Sequence, residues 1–163
     1  MKLYFYDKKK GHKREDTDMM IRESLKEYFS GYSLPPYNGE IKRTNLGKPY
    51  IDHPLHIGVT HTDDICIIGI DEKNFGIDCE KCDRKMSRSD SIMERFFSEG
   101  ERNYIDSCED KQGTFLDTWV KKEAYVKFTG EGLAGMKNCD TSLLSGFEKV
   151  QNDRNLIIYI YKE

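Results

Sequence analysis

The amino-acid sequence predicts an α+β protein in which short strands and helices alternate at irregular spacing. Two apolar segments rich in β-branched residues, 56–60 and 65–70, are separated by residues 62–64, Thr-Asp-Asp, a sequence typical of a turn between antiparallel strands. Residues 114–128 carry apolar side chains at helical spacing and are followed by Gly130, which favours the end of a helix. A regular series of β-α-β units is therefore not expected.

The first part of the chain supplies a strand and a helix before these two strands. Residues 3–6 form a short aromatic run that predicts a strand. From Asp16 onward, apolar residues recur at intervals of three and four until Gly31, which predicts an amphipathic helix. A turn is expected at residues 71–74, and the seam between two halves of the chain is expected close to it.

The last part of the chain contains two more strands and several helices. Residues 75–79 and 156–161 are short, largely apolar runs that predict strands. Residues 91–97 predict a helix, and the capping-box spacing of Ser98 and Glu101 predicts that a further helix begins immediately afterwards.

Composition limits the classes of function. With 26 basic and 29 acidic residues the 163-residue chain has a net charge of −3, which does not point to nucleic acid as a partner. The sequence contains no apolar run of the roughly 20 residues needed to cross a membrane, and its start lacks the order of a signal peptide. The five cysteines are an odd number, so a reducing, cytoplasmic location is expected rather than a disulfide framework.

A cluster of basic residues lies near the start of the chain. Residues 8–14, Lys-Lys-Lys-Gly-His-Lys-Arg, precede the acidic residues 15–18. The cluster is interpreted either as a solvated loop that leads into a helix or as a binding site for phosphates.

Asp78 and Glu80 are the most informative acidic pair. They are two residues apart in a predicted strand, so their side chains project to the same side. Close carboxylates repel each other unless a cation or a proton lies between them, and Mg²⁺ or Mn²⁺ suits such oxygen ligands. The alternative is a pair of exposed carboxylates at the end of a strand.

Trp119, Glu123 and Lys127 recur every four residues in the predicted helix and therefore line one stripe. The stripe can supply a third metal ligand or a base, together with a cation for a phosphate. Its alternative is an ordinary Glu–Lys pair on a solvated helix face.

Two further segments carry little information alone. His61, between Thr60 and Thr62 at the end of a predicted strand, offers hydrogen-bonding groups to an anion. Cys79 and Cys82 have the spacing of a metal or redox motif, but a second cysteine pair is lacking, so neither use is expected.

Taken together and in order, these segments resemble the 4′-phosphopantetheinyl transferase superfamily, in its larger, surfactin-synthetase-activating (Sfp-like) type. The resemblance covers about residues 12–133. The matching segments are His12-Lys13-Arg14-Glu15-Asp16, Gly47-Lys48-Pro49, Thr60-His61-Thr62, Gly76-Ile77-Asp78-Cys79-Glu80, Arg95-Phe96-Phe97-Ser98-Glu99, Trp119-Val120-Lys121-Lys122-Glu123-Ala124-Tyr125-Val126-Lys127 and Gly130-Glu131-Gly132-Leu133.

The resemblance implies a fold of two pseudo-symmetric α/β halves with antiparallel sheets, residues 1–74 and 75–163, with the active site in the cleft between them. It implies a monomer, because one chain supplies both halves of a pseudo-dimer. The first half would contact the nucleotide and the phosphates, and the second would supply the metal ligands and the catalytic helix.

The implied activity is transfer of the 4′-phosphopantetheine arm of coenzyme A to a serine of an acyl or peptidyl carrier protein, with release of 3′,5′-ADP. By resemblance, Asp78, Glu80 and Glu123 would bind Mg²⁺, with Mn²⁺ as a possible replacement. Glu123 would also be the base, and Lys127 would hold the pyrophosphate.

The same resemblance assigns the remaining coenzyme A contacts to the first half of the chain. The residues expected there are Lys13, Arg14, Lys48, Pro49, Thr60 and His61, with His61 also expected to take part in catalysis.

Two other functions stay open on the residues alone. A divalent-metal phosphohydrolase acting on nucleotides would also use paired acids and cations. A non-catalytic interaction domain would leave the acids on a solvated surface.

Overall fold

The computed structural model describes residues 1–85 and 89–163, and the chain divides into two compact units, Met1–Phe75 and Gly76–Glu163. Both units combine helices with antiparallel sheets, so the predicted α+β class is confirmed. None of the helices in the described part of the chain has the length and apolar character needed to span a bilayer.

The first unit is built around a three-stranded antiparallel sheet and one long helix. Its elements are β1 (Lys2–Asp7), α1 (Arg14–Gly31), β2 (Lys42–Arg43), β3 (Pro49–Tyr50), β4 (His56–His61) and β5 (Ile65–Asp71). The sheet has the order β1-β5-β4, while β2 and β3 form a small separate pair. Helix α1 buries Ile21 and Leu25 in the same core as Ile57 and Ile68 of the sheet, and burial of these apolar side chains holds the unit together.

The second unit has the same strand order. Its elements are β6 (Gly76–Lys81), α2 (Ser89–Phe96), α3 (Glu99–Ser107), α4 (Lys111–Thr129), a 3₁₀ helix (Gly132–Asn138), β7 (Phe147–Lys149) and β8 (Leu156–Tyr161). The sheet order is β6-β8-β7. In both units the first strand lies at an edge of the sheet and the last strand lies in its centre.

Local signals in the sequence account for the helix ends in this unit. The Ser98 side chain accepts a hydrogen bond from the Glu101 backbone N–H at 3.1 Å, and the Glu101 carboxylate accepts one from the Ser98 N–H at 2.8 Å, so the predicted capping box is confirmed. Helix α4 begins three residues earlier than the predicted residue 114, because Asp110 caps it by accepting from the Gly113 N–H at 2.8 Å. It ends at Gly130, which has a φ of 75°.

Helix α4 packs on strand β6 at very short range. A Cβ atom added to Gly76 would lie 1.8 Å from the backbone oxygen of Ala124, so only a glycine permits this approach. Asp78 and Glu80 lie on the Gly76 side of the strand, because side chains alternate. The strand therefore presents both carboxylates to the side on which α4 lies.

We expect Gly76→Ala to destabilise the protein by about 3 kcal/mol, because the added methyl group would push α4 away from β6. The free energy of unfolding in urea would measure the loss. Gly100→Ala is the matched control: its Cβ would have only the Ser98 hydroxyl at 3.8 Å nearby, and alanine should stabilise α3 by about 0.5–1 kcal/mol. Equal stabilities of the two variants would contradict the packing argument.

Candidate active site

An ion pair joins the middle of β6 to the last turns of α4. The Lys127 Nζ atom donates a hydrogen bond to Asp78 Oδ1 at 2.6 Å, and the exposed fractions of the two side chains are 35% and 12%. The interaction is thus partly sheltered from water, where a charge-assisted hydrogen bond is stronger than at a fully exposed surface.

Glu123 lies one helical turn before Lys127 and belongs to the same cluster. Burial, reinforced by the negative charge of Asp78, raises the pKa of Glu123 to about 7, although the positive charge of Lys127 opposes the shift. The charges of Asp78 and Lys127 thus both act on the Glu123 carboxylate, which is on the same helix face as Lys127 at a spacing of four residues. We call Asp78, Glu123 and Lys127 the ionic cluster.

Glu80 lies on the same side of β6 but has a different cationic partner. Its Oε2 atom accepts a hydrogen bond from the Arg84 guanidinium, and its Oε1 atom accepts from the Lys81 N–H at 3.0 Å. Glu80 is thus held by the turn that follows β6, whereas Asp78 is held by helix α4.

The donor set of the second unit suits a hard divalent cation. Within residues 1–85 and 89–163, no group of three or more His, Cys, Asp or Glu side chains is arranged as a ready-made metal site. Asp78 and Glu123 nevertheless offer carboxylate oxygens, which Mg²⁺ prefers, and their mutual repulsion is of the kind that a bound cation relieves. Glu80 projects to the same side of β6 as Asp78, two residues further along the strand.

Trp119 does not belong to the ionic cluster, although it shares the helix stripe. Its ring stacks on Phe97 and Phe115 with centroid distances of 6.4 and 6.5 Å. The tryptophan therefore packs against the apolar core of the second unit.

The predicted coenzyme A residues of the first unit occupy different environments. Lys48 is half-buried and donates from Nζ to Asn74 Oδ1 at 3.3 Å, and burial lowers its pKa. Pro49 is buried in β3, where it pairs with Arg43. At the end of β4, Thr60 is buried and His61 is exposed.

Lys13 and Arg14 lie at the beginning of α1, and both are exposed. The Lys13 backbone N–H donates to the Asp16 carboxylate at 2.7 Å. This bond fixes the first turn of the helix and leaves both cationic side chains at its N-terminus, where the helix dipole also favours anions.

The cysteine pair does not form a joint site. Cys79 is buried in β6, Cys82 is exposed, and both are free thiols.

Comparison with known proteins decides the family. A family model described as the 4′-phosphopantetheinyl transferase superfamily matches residues 74–157, just over half of the chain. The chain belongs to the 4′-phosphopantetheinyl transferase superfamily. The match includes Asp78, Glu80, Glu123 and Lys127, so the carboxylates and the lysine described above lie in the part of the chain that defines the membership.

Curated members of the superfamily are similar over most of this chain. A 4′-phosphopantetheinyl transferase of Bacillus subtilis is 32% identical over 134 residues, which are 80% of this chain and 57% of that protein. The 4′-phosphopantetheinyl transferase gsp of Aneurinibacillus migulanus is 29% identical over 119 residues, 71% of this chain and 47% of that protein. The 4′-phosphopantetheinyl transferase HetI of Nostoc is 31% identical over 131 residues, 75% of this chain and 55% of that protein. The chain thus spans about half the length of these relatives.

The segment from Trp119 to Lys127, which resembles the superfamily, contains a further lysine, Lys122, to which the sequence analysis gave no role. Lys122 is fully buried, and its Nζ atom forms an ion pair with Glu101 Oε2 at 2.9 Å. It also donates to the backbone oxygens of Met136 and Cys139. Three of the four positions that lie three or four residues from Lys122 are Trp119, Tyr125 and Val126, and this apolar helix face is the signal that would have indicated a buried lysine.

Lys122 and Glu101 fix several backbone segments around α4. Glu101 also accepts hydrogen bonds from the Thr141 N–H at 2.8 Å and the Thr141 hydroxyl at 2.9 Å. The pair therefore ties α4 to the start of α3 and to the segment after the 3₁₀ helix, and it keeps α4 in one orientation.

We expect Lys122→Met to lower the free energy of unfolding by about 3 kcal/mol, because it leaves the Glu101 charge buried without its cation. Adding Glu101→Gln should restore part of the loss, which urea titrations of the single and double variants would show. Lys121→Met serves as the control, since the neighbouring Lys121 is partly exposed in its pair with Asp117. A loss of stability as small as that of this control would contradict the assignment.

Proposed function

We propose that this chain transfers the 4′-phosphopantetheine arm of coenzyme A to a serine of an acyl or peptidyl carrier protein and releases 3′,5′-ADP. The observation that carries the proposal is the ion pair between Asp78 and Lys127, with Glu123 one helical turn before the lysine, within the residues that match the superfamily. The relatives whose names state this activity support it.

Three carboxylates are proposed as the ligands of Mg²⁺, which Mn²⁺ can replace: Asp78, Glu80 and Glu123. A bound divalent cation neutralises negative charge on a pyrophosphate and so favours departure of the nucleotide. Glu80 contributes in this proposal after its carboxylate leaves the Arg84 guanidinium.

Glu123 is proposed as the base. Its carboxylate takes the proton of the carrier serine hydroxyl, directly or through a water molecule, while the serine oxygen forms a bond to the phosphorus of the phosphopantetheine. The bond from that phosphorus to the bridging oxygen breaks, and 3′,5′-ADP leaves with the electron pair. Lys127 stabilises the negative charge that develops on the pyrophosphate.

The first unit is proposed to bind the rest of coenzyme A. The chain as a whole carries −3 and would repel the phosphates. The cationic side chains of Lys13, Arg14 and Lys48 would therefore supply the local positive charge that holds them. His61 and Thr60 would donate hydrogen bonds to the same phosphates, and Pro49 would pack beside them.

We also propose that the chain acts as a monomer in the cytoplasm. Each chain contains two units of the same strand order, which supports a pseudo-dimer within a single copy. All five cysteines are free thiols, the state that a reducing compartment maintains.

Transfer is tested by mixing the protein with coenzyme A, Mg²⁺ and unmodified carrier proteins and weighing the carriers by mass spectrometry. Asp78→Asn and Glu123→Gln should slow the gain of carrier mass by roughly 10²–10⁴-fold, because each removes a ligand or the base. Glu94→Gln on the exposed side of α2 is the control and should transfer at the original rate.

The same assay distinguishes the other functions. Cleavage of coenzyme A without a change in carrier mass would indicate a phosphohydrolase. Absence of both reactions across several fatty-acid and peptide-synthesis carriers would indicate a non-catalytic domain.

Lys127→Met should raise the KM for coenzyme A by roughly tenfold or more, because a charge-assisted contact to the pyrophosphate is lost. The KM for the carrier should change little, since the carrier contacts this lysine only through the transferred phosphate. Steady-state kinetics with each substrate varied would separate the effects, with Lys121→Met as control. Equal changes in both KM values would refute the role of Lys127.

A further inference from the structure

Arg84 forms an ion pair with Glu80, one of the proposed metal ligands. It lies in the turn after β6, four residues beyond Glu80, and its Nη1 atom donates to Glu80 Oε2. The Glu80 side chain is 9% exposed, whereas that of Arg84 is 51% exposed. The carboxylate is therefore buried and the guanidinium reaches it from solvent.

The backbone of Arg84 is fixed, although its side chain is half exposed. Its N–H donates to the Lys81 oxygen at 3.1 Å, and its own oxygen accepts from Gln112 Nε2 of α4 at 3.0 Å. The turn thus holds the base of the side chain beside Glu80, while the guanidinium can move into water without disturbing the backbone.

The two cations of the site differ in what they can do. Lys127 is bonded to Asp78 and also offsets the charge of Glu123, so it serves both carboxylates from within helix α4. Arg84 contacts Glu80 and occupies an oxygen that would otherwise be available to a metal. A carboxylate cannot give the same lone pair to a guanidinium and to a divalent cation.

We propose that Arg84 is an internal competitor of the divalent cation for Glu80 and thereby sets the affinity of the site. The proposal rests on the ligand set given under the proposed function. Before the cation binds, the guanidinium neutralises the buried carboxylate, which would otherwise be costly to keep charged. When the cation binds, it takes over the oxygen and the guanidinium turns to solvent.

The test measures binding of Mn²⁺ to the protein without coenzyme A or carrier, from the electron paramagnetic resonance signal of free Mn²⁺. Arg84→Gln should bind Mn²⁺ roughly three- to tenfold more tightly than the unaltered chain, because the partly buried pair no longer has to be broken. Lys85→Gln removes the same charge from the adjacent exposed position and is the matched control, with an expected change below about twofold.

A Glu80→Gln background shows whether the effect passes through this carboxylate. There, Arg84→Gln should change the Mn²⁺ affinity no more than Lys85→Gln does. Circular dichroism would verify that each variant keeps its fold.

Several results would overturn the proposal. They are an equal effect of the two charge removals, an unchanged or lower affinity in Arg84→Gln, persistence of the effect in Glu80→Gln, and failure of both the unaltered chain and Arg84→Gln to bind Mn²⁺. The proposed function fails separately, because a negative carrier assay with the expected Mn²⁺ affinities would refute the transfer and leave the competition intact.

Discussion

The approach of helix α4 to strand β6 at Gly76 is the constraint on which the rest of the second unit depends. With no side chain between the helix backbone and the strand, Asp78 is near enough for Lys127 to bond to it at 2.6 Å. If α4 and β6 were further apart, water would solvate the Asp78 carboxylate and Lys127 would lie at the surface without this bond. The glycine of the Gly-Ile-Asp-Cys-Glu segment thus has a geometric purpose that is independent of any ligand.

The second unit contains two kinds of ion pair, which differ in how far their cations are exposed. The buried pair of Lys122 and Glu101 joins helices and loops and has no access to a substrate. The carboxylates of Asp78 and Glu80 are also largely buried, but their lysine and arginine partners are partly exposed. Because pairs with a partly exposed partner exchange at lower cost than fully buried ones, Asp78 and Glu80 can change partners more readily than Glu101 can.

The sequence patterns were sufficient wherever a local signal decides the structure. Strand β8 has the predicted bounds, and the capping box starts α3. Strand β7 was missed because its three residues lie at a sheet edge and are too few to establish an alternation. The meeting of β6 and α4, where Asp78 bonds to Lys127, was expected only from resemblance, since no spacing relates a strand to a helix residue 49 positions later. The Arg84–Glu80 pair depends on the shape of one turn, and side-chain identity alone does not specify it.

The accessibility of the thiols has a practical consequence. Cys66, Cys79 and Cys139 are buried, Cys108 is intermediate and Cys82 is exposed. Alkylating dyes react with the thiolate of accessible cysteines, so with Cys108 replaced by serine a single fluorophore can be attached at Cys82. That residue lies midway between Glu80 and Arg84 along the turn. The emission of the attached fluorophore would therefore record rearrangement of this turn in real time, without a coupled reaction or a radioactive substrate.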